Sequence, residues 1–213
     1  MCYSANTSIA TFLSNYGITF VAFLFALNSD TKVAIQFLSF IGLMQLFDYM
    51  FWINPSPTKM NYIITKIAMI VNLLQPIIMV LLIYNYKNYV KDLTLLIVAL
   101  YTVFAIIYIN NSWSKVMYTK ENVKGEGLVW EWHNQKGSVF LFYLFILSLA
   151  IASYENLDTS MRYILSILLV FTYLISWLKN NFRMTSISTY SGRLWCYYSA
   201  LLPGIILLLN HIF

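Results

Sequence analysis

Long apolar runs separated by short polar breaks dominate the chain, and the spacing of the breaks predicts its elements. The runs cover about Ser8–Leu27, Val33–Ile53, Tyr62–Asn85, Leu93–Asn110, Ser138–Tyr154, Met161–Leu178 and Leu194–Phe213. Each is long enough, at ~1.5 Å per residue, for a helix to cross ~30 Å of hydrocarbon. Polar residues Asn28 to Lys32 close the first run, and Pro55 and Pro57 break the chain after the second. A long polar loop, 111–137, separates the fourth run from the fifth. Strands are excluded on two grounds. Open strand edges leave backbone groups unpaired in lipid, and Tyr163 to Val170 shows none of the alternation a membrane strand requires. The pattern predicts an all-α, polytopic transmembrane helical bundle of seven helices, forming one transmembrane domain over residues 1–213. It shows no internal repeat, so an inverted-repeat transporter is not supported.

Composition agrees with lipid as the main solvent. The chain is 60% hydrophobic and only 10% charged, with mean hydropathy +0.69, whereas a soluble domain carries about 25% charged residues. The net charge of +5 comes from basic residues scattered singly through short loops, so no run tracks a phosphate backbone and nucleic acid is not an expected partner. The expected partner is the lipid bilayer, and the sequence does not set an oligomeric state. The first basic residue, Lys32, follows the first apolar run, so a cleavable signal is not expected. Position 2 is not Gly, which excludes myristoylation.

The loop charges predict an orientation. With seven spans, Lys59, Lys66, Lys115, Lys120, Lys124, Lys136, Lys179, Arg183 and Arg193 fall on the side of the N-terminus, and Lys32, Lys87, Lys91 and Arg162 on the other. The N-terminus is therefore expected in the cytoplasm and the C-terminus on the opposite side.

A few polar residues at membrane depth are candidates for function. Asp48 lies five residues before the end of the second run, and Lys66 four residues into the third. An antiparallel hairpin brings both to similar depth, so the expectation is a structural Asp48–Lys66 ion pair, with a proton-relay or substrate role as the alternative. Gln45 shares a helical face with Asp48, and Asn72 shares one with Gln75. These amides read as interhelical hydrogen-bond glue. Gln75-Pro76 predicts a kink near mid-membrane.

The densest polar-aromatic cluster is Trp130-Glu131-Trp132-His133. Its ordinary reading is an interfacial loop in which Trp113, Trp130 and Trp132 act as headgroup anchors. The sharper reading places Glu131 and His133 at a site on the cytoplasmic mouth, where those residue types do acid–base work or bind metal. Two cysteines, Cys2 and Cys196, make no disulfide framework. With Asp48 and His133 they supply the residue types of a zinc site, although no C-x-x-C or H-x-x-x-H spacing accompanies them. Retinal is excluded because residues 194–213 contain no lysine. A bis-histidine haem is excluded because His133 and His211 fall at opposite membrane faces. No P-loop, G-x-S-x-G or H-E-x-x-H motif is present.

Met1-Cys2-Tyr3-Ser4 at the start, Leu194-Trp195-Cys196 near the last span and the Trp130–His133 loop together resemble a family of small uncharacterised multi-pass membrane proteins. That family has an M-C-x-S start and an L-W-C motif. The resemblance implies a multi-pass membrane fold and a joint role for Cys2, His133 and Cys196. It implies no activity. Abundant Ile, Asn, Lys and Tyr with only seven Gly fit an AT-rich coding genome, such as that of a large DNA virus.

Three functions follow as expectations. The first is a channel, transporter or receptor-like module with a polar pocket on the cytoplasmic side. The second is a membrane-embedded, zinc-dependent enzyme using Cys2, Asp48, Glu131, His133 and Cys196. The third is a structural protein of a cellular or viral membrane. Convergence of Cys2, Asp48, His133 and Cys196 separates the second from the others.

Overall fold

The computed structural model describes residues 4–121, 127–179, 197–198 and 201–212. It is all-α apart from one short hairpin. The helices are α1 (Ala5–Phe25), α2 (Ser29–Ile53), α3 (Lys59–Leu73), α4 (Gln75–Lys87), α5 (Asp92–Trp113), α6 (Ser138–Asn156), α7 (Thr159–Lys179) and α8 (Leu202–Ile212). Between α5 and α6 lie two antiparallel two-residue strands, Lys120–Glu121 and Leu128–Val129, and a single 3-10 turn, Glu131–Asn134.

Helices α1, α2, α5 and α6 are each long and apolar enough to cross a membrane, and α3 with α4 passes the same test as one bent span. Helix α7, at 21 residues, carries the sixth predicted run. The seventh is described only in part, as 197–198 and α8, and Cys196 lies outside the described residues. The predicted kink is present: α3 and α4 meet at 47°. Pro76 has no N–H to offer the Asn72 carbonyl one turn back, and at the same break the Leu73 carbonyl accepts the Tyr101 hydroxyl from α5 at 2.7 Å.

Helix starts follow ordinary capping chemistry. Ser4, Asn28 and Thr58 accept from the backbone N–H three residues on, opening α1, α2 and α3. Asp158 does the same for Met161 in the first turn of α7.

Helix α2 is the hub of the bundle, packed by α1, α3, α4, α7 and α8. Its most apolar window is 67% buried, against 22% for α1. Where lipid is the solvent, burial selects small and polar residues because apolar ones are equally comfortable outside. Helix α5 illustrates this. Thr94, Val98, Tyr101, Ala105, Tyr108 and Ser112 are buried, spaced alternately by four and three residues along one face, while Leu96, Val103 and Ile106 point outward. On α1 the buried residues are Ser8, Thr11, Asn15 and Ala22. The α1–α2 contact is close enough that a Cβ on Gly42 would stand 2.4 Å from the Asn15 amide oxygen, so any larger residue there forces the Asn15 side chain to move.

The segment between α5 and α6 departs from the expected surface loop. Met117, Leu128, Trp130 and Trp132 all belong to the buried core. The loop is held down by a compact network on α3. The Thr119 amide donates to the Asn61 side chain at 2.9 Å, and the Asn61 amide donates back to the Thr119 carbonyl at 2.9 Å. Thr65 and Thr119 hydroxyls meet at 3.1 Å.

Candidate functional site

Two polar networks stand out, one toward each end of α2. Asp30 and Asp48 are 18 residues apart on α2 (48 minus 30), about 27 Å along the helix, and each organises one end.

At the Asp30 end, the carboxylate pairs with Lys87 at 2.8 Å. It also accepts the Asp158 backbone N–H at 2.6 Å. Lys87 donates to the Asn156 carbonyl at 2.5 Å. The Asn156 side chain accepts from the Lys91 amide at 2.9 Å and donates to the Thr94 hydroxyl at 2.8 Å. This network ties the α1–α2 turn, the end of α4, the start of α5 and the α6–α7 turn together.

At the Asp48 end, aromatic rings gather beside the carboxylate. Asp48, fully buried on α2, accepts the Trp130 indole N–H at 2.9 Å. Trp130 stacks on Trp132 with centroids 4.9 Å apart and planes 18° apart. His133 lies 5.6 Å from both rings. Local backbone geometry produces this grouping. The His133 N–H donates to the Trp130 carbonyl at 3.0 Å, curling the chain into the 3-10 turn. The Tyr108 hydroxyl donates to the Trp132 carbonyl, and the Ser138 hydroxyl donates to the His133 carbonyl at 2.6 Å. Gly137, at φ +90°, then reverses the chain into α6 with a backbone that side-chain-bearing residues rarely adopt.

The expected Asp48–Lys66 pair is not formed. Lys66 turns the other way, donating to the Trp113 carbonyl, and sits 4.4 Å and 4.6 Å over the rings of Tyr62 and Trp113. A carbonyl and two π faces hold the ammonium, and the Trp130 indole occupies an oxygen of Asp48. Among the described residues the ion pair found is Lys87–Asp30 instead. The expectation of three headgroup tryptophans is corrected as well. Trp113 is half exposed, whereas Trp130 and Trp132 are 0% and 2% exposed and belong to the interior. Gln45 and Gln75 do not act as interhelical glue: the polar atoms of both side chains are buried and make no hydrogen bond among the described residues.

A half-enclosed cavity of about 40 Å³ lies against the tryptophan shelf. Asn72 and Leu73, at the α3–α4 break, line it from one side. Trp130, Trp132 and His133 line it from the loop, Tyr108 from α5, and Ser138, Leu141, Phe142 and Phe145 from α6. Phe142 and Phe145 rings are nearly parallel, 7° apart. Among the described residues no Asp, Glu, Lys or Arg side chain is in this lining, and the Tyr108 and Ser138 hydroxyls are engaged as donors to the backbone. The arrangement suits binding better than proton transfer. Of the sequence candidates, His133 faces the cavity, Asp48 stands behind Trp130, and Glu131 is not in the lining. Cys2 and Cys196 lie outside the described residues. Among the described residues no three His, Cys, Asp or Glu side chains gather as a metal site.

Sequence reasoning missed Tyr101, Tyr108 and Asn61, which hold the site together. The available signal was the four-and-three spacing of Thr94, Val98, Tyr101, Ala105, Tyr108 and Ser112 along one face of α5. Comparison with known proteins adds no relative: no protein family matches the chain, and neither does a curated protein or a solved structure.

Proposed function

We propose that this chain is a seven-span integral membrane protein, N-terminus cytoplasmic and C-terminus on the opposite side, that binds a small molecule at its cytoplasmic end. On this reading it acts as a channel, transporter or receptor-like module. The observation that supports it is the cavity between the α3–α4 break, α5, α6 and the tryptophan shelf. A broken span beside a cavity is where membrane proteins tolerate irregular backbone and place ligands. The pocket differs from the one the sequence predicts in being mainly aromatic and apolar, with few polar groups to orient a ligand, as small-molecule sites usually are.

The test is a thermal-unfolding screen of the full chain, purified in lipid nanodiscs, against a library of small soluble molecules. Binding to the native state alone raises the melting temperature. At least one compound should stabilise the protein saturably, and Leu141→Trp, which fills the cavity, should abolish the shift while leaving the chain folded by circular dichroism. A screen in which no compound acts through the cavity defeats the proposal and leaves a structural membrane protein.

A further inference from the structure

The cavity contains a chemical instruction beyond its shape. Trp132 is 2% exposed and lines the cavity, yet its indole N–H finds no hydrogen-bond acceptor among the described residues. A buried donor without a partner is costly, and native structures almost always supply one. Trp130, stacked directly on it, shows the contrast: its own N–H is taken by Asp48 at 2.9 Å. The pair is alike in ring, burial and position. It differs in that one donor is satisfied by the protein and the other is left for something else.

The charge of the missing acceptor follows from the surroundings. Among the described residues no Lys or Arg lines the cavity, and Lys66 is committed to Trp113 and Tyr62. An anion would be desolvated among aromatic rings without a counter-ion from the described lining. A cation would suit the π faces but leaves the Trp132 donor unmet. A neutral acceptor satisfies both conditions. The Trp130–Trp132 stack and the Phe142–Phe145 pair supply aromatic surface against which a flat group packs.

We infer that the cavity takes the edge of a neutral, planar molecule whose ring or carbonyl acceptor receives the Trp132 indole N–H, with the remainder of the molecule outside. The inference rests on the small-molecule reading above and adds the ligand's chemical class. The Asn72 side chain, at the helix break and in the cavity lining, is placed to contact a second polar atom on the same edge.

Pyridine, benzene and N-methylpyridinium test this as probes of one shape: neutral with an acceptor, neutral without one, and cationic without one. The full chain carrying 5-fluorotryptophan in nanodiscs is titrated with each, and the ¹⁹F resonances of Trp130 and Trp132 are followed after assignment by Trp130→Phe and Trp132→Phe. Pyridine should move both resonances saturably. Benzene and N-methylpyridinium should bind roughly tenfold more weakly, the factor set by one buried hydrogen bond of about 1.4 kcal/mol. In Trp132→Phe, read at Trp130, pyridine should fall to the level of benzene while benzene is unchanged. Equal binding of pyridine and benzene, or tighter binding of the cation, overturns the ligand class and leaves the cavity a binding site. If pyridine leaves Trp132 unmoved while a screened compound stabilises the chain through the cavity, the class again fails alone. If no probe and no screened compound enters, the cavity holds only water, for which it has room for two or three molecules, and both readings fail together.

Discussion

At the Asp30 end of the bundle the buried carboxylate meets an ammonium and a backbone N–H, and at the Asp48 end it meets an indole that belongs to a stack of aromatic rings. Both carboxylates sit on α2 and both are buried, so burial alone does not distinguish them. Partners do. Asp30 takes an ammonium and a backbone N–H, and the ammonium's remaining valence goes to a carbonyl. The result is a closed knot joining four chain segments. Asp48 takes an indole, and that indole belongs to a shelf with a cavity on one side and an unpartnered donor in its wall. A closed network stabilises. A network left with an unmet valence next to a space is the form a binding site takes before its ligand arrives.

The largest effect that would break this contrast lies at the knot. Asp30→Asn or Lys87→Met alone strands the other partner, and each should destabilise the chain by about 3–5 kcal/mol, the usual cost of breaking a buried pair from one side. The double variant should lose clearly less than the sum. The same cycle on Asp48→Asn and Lys66→Met should be additive to within ~0.5 kcal/mol, since Lys66 turns to the Trp113 carbonyl while Asp48 accepts the Trp130 indole. Reversible unfolding of the full chain in mixed micelles reads both cycles. Strong coupling between Asp48 and Lys66 would mean that the pocket end is also an ion-paired clasp.

A smaller effect separates the two stacked tryptophans. Trp130→Phe removes a hydrogen bond to a buried carboxylate and should cost about 1.5–3 kcal/mol beyond the lost ring area. Trp132→Phe removes a donor that the described residues leave unpartnered and should cost only the area. Both variants delete the same atoms, so the difference between them isolates the bond to Asp48. Equal losses in the ligand-free protein would show that the Trp132 N–H is already satisfied, and the ligand class argued above would lose its basis.

The parts that were readable from sequence are those governed by local pattern. Apolar run lengths located α1, α2, α5 and α6, and Pro76 located the break, because helix periodicity and proline stereochemistry act over a few residues. Asp48 and the Trp130–His133 cluster were recognisable as unusual from residue type alone. Their partners were not. Trp130 is 82 residues from Asp48, and Lys87 is 57 from Asp30. A depth argument matched Asp48 with Lys66 because it ordered side chains along the membrane normal and had no information about rotation around each helix. The loop misled for a related reason. Its polarity reads as a solvated surface, yet Asn61 and Thr65 on α3 hold Thr119, and that anchorage carries the tryptophans inside. In a membrane bundle the buried faces are marked by small polar residues, so the four-and-three rows on α1 and α5 are the signal to read first.

The smallest perturbation, one that changes no contact, asks which end faces the cytoplasm. The basic residues near the pocket end outnumber those near the knot, and translocation retains Lys and Arg on the cytoplasmic side. The pocket would then be loaded from the cell interior and the knot would face outward. Lys91, beside the knot, and Lys115 and Lys120, beside the pocket, are all exposed, so an amine-reactive label that does not cross membranes can report on each. In intact cells Lys91 should be modified, and Lys115 and Lys120 should react only after permeabilisation. Expression in a eukaryotic cell gives an independent reading. Asn6 and Asn110 begin formal N-x-S/T sequons, and both lie at the pocket end, on the first turn of α1 and the last turn of α5. Neither should acquire a glycan. Labelling of Lys115 from outside, or glycan on either asparagine, would invert the bundle. The pocket would then receive an extracellular or lumenal ligand, with its chemistry unchanged, because the cavity is built by α3, α5, α6 and the loop whichever way they face.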